Sequence, residues 1–218
     1  MIPREGFWRV MEAYGIGIWP FQIVFYAAAL LLVGWLFVKP GRWQSLCAKL
    51  YLSLAFAWNG ILFYLVLAKD IAGLTYGNYF NGSLFLIVAA PFAVDMFRQK
   101  MLFALPTGGW RRYATFVLTL LVFCYPLFGM AFGHSSTSLI LPGTYPCPTT
   151  ALGLLLLTTA LPQVDKIIYV LLLFCAIPFT PFLQIARYGV YEDTILLTTG
   201  IYALVLLVRY WKPEKLAI

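Results

Sequence analysis

The sequence predicts an all-α membrane protein, with residues 1–218 forming a single domain of seven transmembrane helices. Its 218 residues are 62% hydrophobic and only 11% charged, and the mean hydropathy is +0.87. A soluble domain carries about 25% charged residues, so this chain has too few charges to cover a water-facing surface. Apolar blocks long enough to cross a bilayer core of roughly 30 Å recur along the chain. We therefore expect its solvent to be lipid.

The distribution of Lys and Arg between these blocks predicts the orientation of the bundle. Most of the fifteen basic residues fall in the loops after the first, third and fifth blocks and in the C-terminal segment. These residues are Lys39, Arg42, Lys49, Arg98, Lys100, Arg111, Arg112, Lys166, Arg209, Lys212 and Lys215. The other side holds Arg4, Arg9, Lys69 and Arg187. Because basic loops stay on the cytoplasmic side, the N-terminus is predicted outside and the C-terminus inside.

The first predicted element is an amphipathic helix over 2–15. Apolar residues such as Phe7, Met11 and Tyr14 recur at helical spacing between charged residues. That pattern is typical of a helix lying in a membrane interface, here the outer one.

Seven spans follow, at about 18–38, 50–67, 79–97, 113–132, 149–161, 167–185 and 194–211. The second is closed by Lys69 and Asp70, and the seventh ends at Trp211. Pro91 predicts a kink in the third span, and Tyr125-Pro126 interrupts the fourth.

The fifth span is the unusual one, because 149–161 is too short to cross a bilayer upright. Thr149 and Thr150 after Pro148 predict that its helix begins there with a threonine cap. The preceding segment, 133–148, is either a broken or re-entrant half-helix or a surface loop that covers the bundle. Irregular backbone at membrane depth must be buried in protein or line a cavity.

Two classes of partner can be judged from composition. The basic residues lie in short loops beside apolar blocks rather than in a stripe with interleaved aromatics, so nucleic-acid binding is not expected. The same residues attract anionic headgroups, which makes membrane lipids the expected partners.

Four cysteines form no CxxC pair and predict free thiols. Assembly into a homo-oligomer is left open.

Polar residues inside the spans are the first candidate site. Asn59 lies near the middle of the second span, where its amide either lines a pore or joins neighbouring helices. Gln22 and Gln184 lie about one turn inside the outer edge of their spans. Together with three charged residues near the last span, they predict a polar funnel that opens outward.

The charged members of this funnel are Arg187, Glu192 and Asp193. Arg187 is expected either to pair with one of the two carboxylates or to bind substrate. A buried Arg in a pore would favour an anionic solute.

A second candidate site lies in the outer loop over 133–150, which contains His134, the only histidine, and Cys147. Together they are candidate ligands of a borderline metal, with Glu192 or Asp193 as a third ligand. They are also a candidate nucleophile and base. The alternative is a turn-rich cap in which both have structural roles. The sequence assigns no cofactor.

Five motifs occur in an order that resembles a known family. They are the 14–22 segment with Trp19-Pro20-Phe21-Gln22, AWNG at 57–60, Tyr125-Pro126 followed by Gly129 and Gly133-His134, PCPTT at 146–150, and Glu192-Asp193. The chain is similar along most of its length to an uncharacterised family of multi-pass bacterial membrane proteins that is defined only as a domain of unknown function. The resemblance implies a bacterial cytoplasmic (inner) membrane and about seven spans. It implies no activity.

These features predict a small-solute transporter or channel with a polar vestibule facing the periplasm, because little of the chain projects beyond the membrane. A non-enzymatic role is favoured. Two alternatives are kept: an outer-leaflet enzyme or metal-binding protein that uses His134 and Cys147, and a non-catalytic sensor or subunit of a membrane complex.

Overall fold

The computed structural model describes residues 3–67, 76–178 and 180–210. Within these ranges the chain is helical and has no β-strand, and one isolated bridge joins Pro142 to Tyr145. The prediction of an all-α fold is confirmed. The residues predicted to close the second and seventh spans, Lys69, Asp70 and Trp211, lie outside the described residues, as do Lys212 and Lys215 of the basic C-terminal segment.

Eight α-helices follow one another in the described ranges. They are α1 (Arg4–Val38), α2 (Arg42–Trp58), α3 (Gly77–Arg98), α4 (Gly109–Phe123), α5 (Tyr125–Ala131), α6 (Pro146–Thr159), α7 (Lys166–Ala176) and α8 (Thr194–Arg209). Two wider π-helical segments follow α2 and α7, at Asn59–Leu67 and Thr180–Tyr188. Short 3₁₀ turns lie at Ser136–Ser138 and Tyr191–Asp193.

Five helical segments in the described part of the chain are long and apolar enough to cross a membrane, and α4 with α5 makes a sixth if the bent pair is one span. That pair bends by 57° at the predicted interruption. The predicted span at 149–161 corresponds to α6, whose 14 residues extend only about 21 Å. The structure therefore supports five or six crossings, while seven spans and their orientation stay predictions.

The N-terminal helix differs from the expectation of an interfacial helix followed by a separate span. Residues of both segments form α1, one continuous helix of 35 residues. Phe7, Met11, Tyr14 and Ile18 are all buried, because their spacing of three or four residues continues one apolar stripe through both segments. The stripe packs against the rest of the protein.

The short helix α6 is the centre of the bundle, packed among α2, α4, α7 and α8. It begins at Pro146 rather than at Thr149, since proline is well suited to the first turn of a helix. Thr149 instead fixes the backbone before the helix. Its Oγ1 accepts a hydrogen bond from Gly143 N at 2.8 Å and donates one to Tyr145 O at 2.6 Å.

The segment before α6 has two parts: residues 133 and 135–137 are exposed, as expected for a surface loop, whereas residues 140–145 are irregular but buried. Ile140, Leu141, Thr144 and Tyr145 are each less than a tenth exposed. Their backbone is enclosed by neighbouring helices, the condition under which irregular backbone is tolerated at membrane depth. Residues 140–145 thus form part of the core and hold α6 in place.

A buried ion pair joins α2 to the end of α3. Lys49 Nζ lies 2.6 Å from Asp95 Oδ2, and both side chains are less than a tenth exposed. The Asp95 carboxylate also accepts hydrogen bonds from Lys100 N and Met101 N, both at 3.1 Å. Lys49, counted above among the basic loop residues, is therefore a core residue.

Candidate functional site

Two consecutive carboxylates are the most unusual polar feature of the structure. Glu192 and Asp193 lie in the 3₁₀ turn that leads into α8, and they are 1% and 0% exposed. The turn is formed after Gly189, whose φ of +72° is readily adopted only by glycine. A buried carboxylate is costly unless it is paired or hydrogen-bonded, so the partners of these two groups determine what the site can do.

Glu192 is paired with the only histidine of the chain. Its Oε1 atom lies 3.1 Å from His134 Nδ1, and the imidazole packs against the Trp8 ring at 4.0 Å between centroids. Gly129 packs beside the pair, where an added Cβ atom would be in ordinary van der Waals contact with Glu192 Oε1 and His134 Nδ1. The 192–193 turn and the loop after α5 thereby meet.

The environment of His134 favours its neutral form. Burial lowers the pKa of the imidazole below its usual 6.5, and the positive charge of Arg4 lowers it further. The Arg4 guanidinium packs directly on Gly189, so the start of α1 closes over both the histidine and the 192–193 turn. Nδ1 either donates to Glu192 or accepts from it, depending on the tautomer.

Asp193 is held by a tyrosine from the bent α4–α5 pair. Tyr125 Oη donates a hydrogen bond to Asp193 Oδ1 at 3.0 Å. The Cys147 thiol interacts with the same carboxylate from the first turn of α6, but a thiol is only a weak donor. Tyr125 is therefore the principal partner of Asp193.

Each carboxylate keeps one oxygen without a partner. Within the described part of the chain, Glu192 Oε2 and Asp193 Oδ2 are buried and make no hydrogen bond. Unsatisfied buried acceptors are rare in proteins and require an explanation. Both oxygens could accept a proton or contact a cation. We refer to Glu192, Asp193, His134, Tyr125 and Cys147 as the acidic cluster.

Cavities reach the acidic cluster from different directions. A cavity of about 490 Å³ contains His134, together with Arg4 and Glu12 from the start of α1. Another of about 240 Å³ contains Glu192 and lies against α4 and α8. The hydrogen bond from His134 to Glu192 therefore connects the linings of these two cavities.

A third cavity, of about 70 Å³, contains Cys147 and the predicted site residue Gln184. The two π-helical segments line it, one with Phe63 and Tyr64 and the other with Gln184 and Tyr188. π-Helical turns are uncommon and often occur at functional sites. Gln184 thus lies on a cavity that also reaches the acidic cluster through Cys147.

Gln22 and Asn59 form their hydrogen bonds with residues outside the acidic cluster. Gln22 Nε2 donates at 3.4 Å to Gly15 O and to Tyr145 Oη. Asn59 is fully buried, and its Nδ2 donates to Ala55 O at 2.7 Å and to Gly143 O at 3.0 Å. These bonds hold the irregular segment before α6, which favours the interhelical role of Asn59 over a place in a pore lining.

Arg187 does not form the expected ion pair. In the described ranges neither Glu192 nor Asp193 has an arginine within 4 Å, and the Arg187 guanidinium lies 5.8 Å from the ring of Tyr188. The side chain is exposed. The physical reason is the sharp turn at Gly189, which separates Arg187 from the buried 192–193 turn.

The described residues contain no group of three or more His, Cys, Asp or Glu side chains that could hold a metal ion. His134 is hydrogen-bonded to Glu192, whereas Cys147 interacts mainly with Asp193 and more weakly with Glu192. No hydrogen bond joins His134 to Cys147 among the described residues. The geometry therefore gives no support to a shared metal site or to a nucleophile–base pair.

Two residues that contact the carboxylates or the histidine, Tyr125 and Trp8, are not identifiable as site residues from the sequence. Trp8 and Tyr125 are typical membrane-edge and helix-kink residues, so nothing marks them as partners of His134 and Asp193. Both residues contact parts of the chain that are distant in sequence. Trp8 donates a hydrogen bond to Tyr188 O, 180 residues later, and Tyr125 donates one to Asp193, 68 residues later. Only the packed fold brings them together.

A comparison with known protein families identifies the family of this chain. A family of unknown function, DUF6064, matches residues 4–216. The chain belongs to the DUF6064 family. The predicted resemblance to an uncharacterised family is confirmed, and the match contains every member of the acidic cluster. No curated protein and no solved structure matches this DUF6064 chain.

Proposed function

We propose that the protein is a small-solute transporter or channel of the bacterial cytoplasmic membrane, oriented with its N-terminus outside, and that the acidic cluster is its ion-binding element. One observation carries the proposal. Glu192 and Asp193 are adjacent and almost fully buried, and each keeps one oxygen without a partner in the described ranges. Ionisable residues in membrane-embedded segments mark ion and substrate pathways.

The charge of the cluster favours a proton or a small cation over an anion. Glu192 and Asp193 supply carboxylate oxygens, the ligands that hard cations prefer, and Arg187 is exposed and unpaired with them. The anionic cargo considered from the sequence required a buried arginine at this place. A proton or cation bound at Glu192 Oε2 or at Asp193 Oδ2 would satisfy that oxygen.

The hydrogen bonds suggest a path for a proton. His134 faces the outer cavity and shares a hydrogen bond with Glu192, whose neighbour Asp193 accepts one from Tyr125. Each of these groups can take up or release a proton and can reorient its hydrogen bond. In this proposal the outer cavity is the vestibule, and Trp8 and Arg4 cover the entry to Glu192.

The enzyme hypothesis is less well supported. It requires His134 and Cys147 to act on one substrate, but no hydrogen bond joins these two side chains in the described ranges, and His134 is bonded to Glu192. Among the described residues, no contact favours a sensor or subunit role.

Ion flux into liposomes tests the proposal. Purified protein would be reconstituted with a pH-sensitive dye inside, and with Na⁺- or K⁺-sensitive dyes in parallel vesicles. Wild type should carry at least one of these ions under an imposed membrane potential. Glu192→Gln and Asp193→Asn should reduce the rate about tenfold or more, since a hydrogen bond to a charged group contributes roughly 1.5–3 kcal/mol.

Asp165→Asn is the matched control. Asp165 is an exposed carboxylate that caps α7, and asparagine caps helices equally well, so flux should be unchanged. Folded wild-type protein that moves none of the three ions faster than protein-free liposomes would contradict the proposal. Equal rates in wild type and in both cluster variants would also contradict it.

A further inference from the structure

A larger cavity lies away from the acidic cluster, beside the end of α3 and the start of α7. It has a volume of about 660 Å³ and is open to the surface. Ligand sites in proteins usually occupy about 300–1,000 Å³, so the cavity is large enough for a phosphate-bearing headgroup. It shares no lining residue with the acidic cluster.

The acidic residues of this cavity are already engaged. Asp95 is paired with buried Lys49 and accepts two backbone hydrogen bonds. Asp165 Oδ1 accepts hydrogen bonds from Ile167 N at 2.9 Å and Ile168 N at 3.3 Å. The charge of Asp95 is therefore neutralised by Lys49, whereas Asp165 is exposed and keeps its negative charge.

Two basic residues of the lining lie at the surface of the protein. Arg98 and Lys100 are exposed, and Lys166 lines the same cavity. Arg98 belongs to the last turn of α3, and Lys100 follows two residues later. With Asp95 paired with Lys49, the exposed Arg98 and Lys100 place two positive charges at the end of α3, against the single charge of the exposed Asp165.

The rest of the lining is apolar and includes Pro91, Val94 and Ile167. Val94 and Ile167 are 44% and 71% exposed. The two segments that carry them, Gly77–Arg98 and Lys166–Tyr188, are both candidate membrane spans. The cavity thus combines cationic groups at helix ends with apolar side chains on the spans, as an amphiphile requires.

We propose that this cavity binds an anionic phospholipid, with its phosphate at Arg98 and Lys100 and its acyl chains along α3 and α7. Basic pockets between membrane helices commonly bind anionic lipid headgroups. The match of charge and volume selects the anionic headgroup, and the exposed apolar residues beside it select a lipid over a soluble phosphate. The site is independent of the proposed transport function.

Native mass spectrometry of the detergent-solubilised full chain tests the site. Phosphatidylglycerol and the zwitterionic phosphatidylcholine would be titrated separately. Wild type should prefer phosphatidylglycerol, and the double variant Arg98→Gln/Lys100→Gln should lower its affinity for that lipid about thirtyfold. Affinity for phosphatidylcholine should be the same in both proteins.

The matched control is Lys39→Gln/Arg42→Gln, which removes two exposed basic residues, one directly after α1 and one at the start of α2. It should keep its affinity within about twofold. Equal losses in the two double variants, or no preference for phosphatidylglycerol in wild type, would overturn the proposal. Displacement of the lipid by millimolar inorganic phosphate would instead identify a soluble-phosphate site and overturn the lipid assignment.

A second measurement does not depend on variants. Phosphatidylglycerol with a photoreactive group on its acyl chain should crosslink wild type within 91–101 or 163–167. Crosslinks confined to other segments would also overturn the site.

Discussion

His134 Nδ1 lies 3.1 Å from Glu192 Oε1 and joins the loop after α5 to the turn before α8, 58 residues later. Trp8 packs on the histidine, and Arg4 packs on Gly189 beside the same turn. Three distant parts of the chain therefore enclose one titratable pair. Because burial and Arg4 shift the pKa of His134, that pKa can be measured to test whether these contacts are formed.

The protonation of His134 can be measured without overlap, since the chain has no other histidine. We expect its pKa to lie below 6.5, because burial and the charge of Arg4 disfavour the imidazolium. Arg4→Gln should raise it. Nuclear magnetic resonance of untagged, ¹⁵N-histidine-labelled protein gives both values. A wild-type pKa above 6.5, or no change in Arg4→Gln, would contradict the described environment.

The same shift predicts the sign of a stability change with pH. A histidine whose pKa is lower in the folded state binds more protons when unfolded, so folding stability falls as pH drops below about 6.5. The carboxylates nearby also titrate, so the contribution of His134 must be isolated by difference. The difference between the unfolding free energies of wild type and His134→Asn (wild type minus variant) should decrease as the pH is lowered from 7.5 to 5.5. A difference that increases would show that the imidazolium is favoured.

Close packing between α1 and the 136–138 turn predicts different outcomes for two nearby glycines. A Cβ atom at Gly15 would overlap the Thr137 carbonyl oxygen, whereas at Gly17 it would meet nothing within 4 Å. Gly15→Ala should lower the unfolding free energy by roughly 2–3 kcal/mol. Gly17→Ala should leave it unchanged or raise it by about 0.5–1 kcal/mol through helix propensity. Thermal unfolding in detergent compares them, and equal effects would contradict this packing.

The buried pair Lys49–Asp95 predicts non-additive stability changes. Lys49→Met or Asp95→Asn leaves one charge buried without its partner, which costs about 3–5 kcal/mol. The double variant should be destabilised by less than the sum of the single variants, because both charges are then removed. A double-mutant cycle of unfolding free energies measures the coupling. Additive effects would mean that the two charges do not interact.

Most of the helix positions could be predicted from the sequence because composition and hydrophobic blocks are local properties. The predicted spans at 79–97 and 194–211 agree closely with α3 (Gly77–Arg98) and α8 (Thr194–Arg209). The bend at Tyr125-Pro126 follows from the missing N–H of proline. The π-helical segments were not predictable, since their hydrogen bonds depend on packing rather than on composition.

The site was predicted only in part. Glu192, Asp193, His134, Cys147 and Gln184 were identified as polar residues near the outer ends of apolar blocks. Which of them meet depends on tertiary packing: His134 pairs with Glu192 rather than with Cys147, and Arg187 is turned away by Gly189. The burial of Lys49 was missed for the same reason, because its partner Asp95 is 46 residues distant.

The most direct test of the central claim is the chemical reactivity of the acidic cluster in its native membrane. A hydrophobic carbodiimide reacts with protonated carboxyl groups, and peptide mass spectrometry locates the adduct. If Glu192 and Asp193 bind protons or cations, one of them should be labelled in folded protein, and the transported ion or a higher pH should slow the labelling. Absence of labelling at both residues in folded protein, with ready labelling after denaturation, would contradict the account.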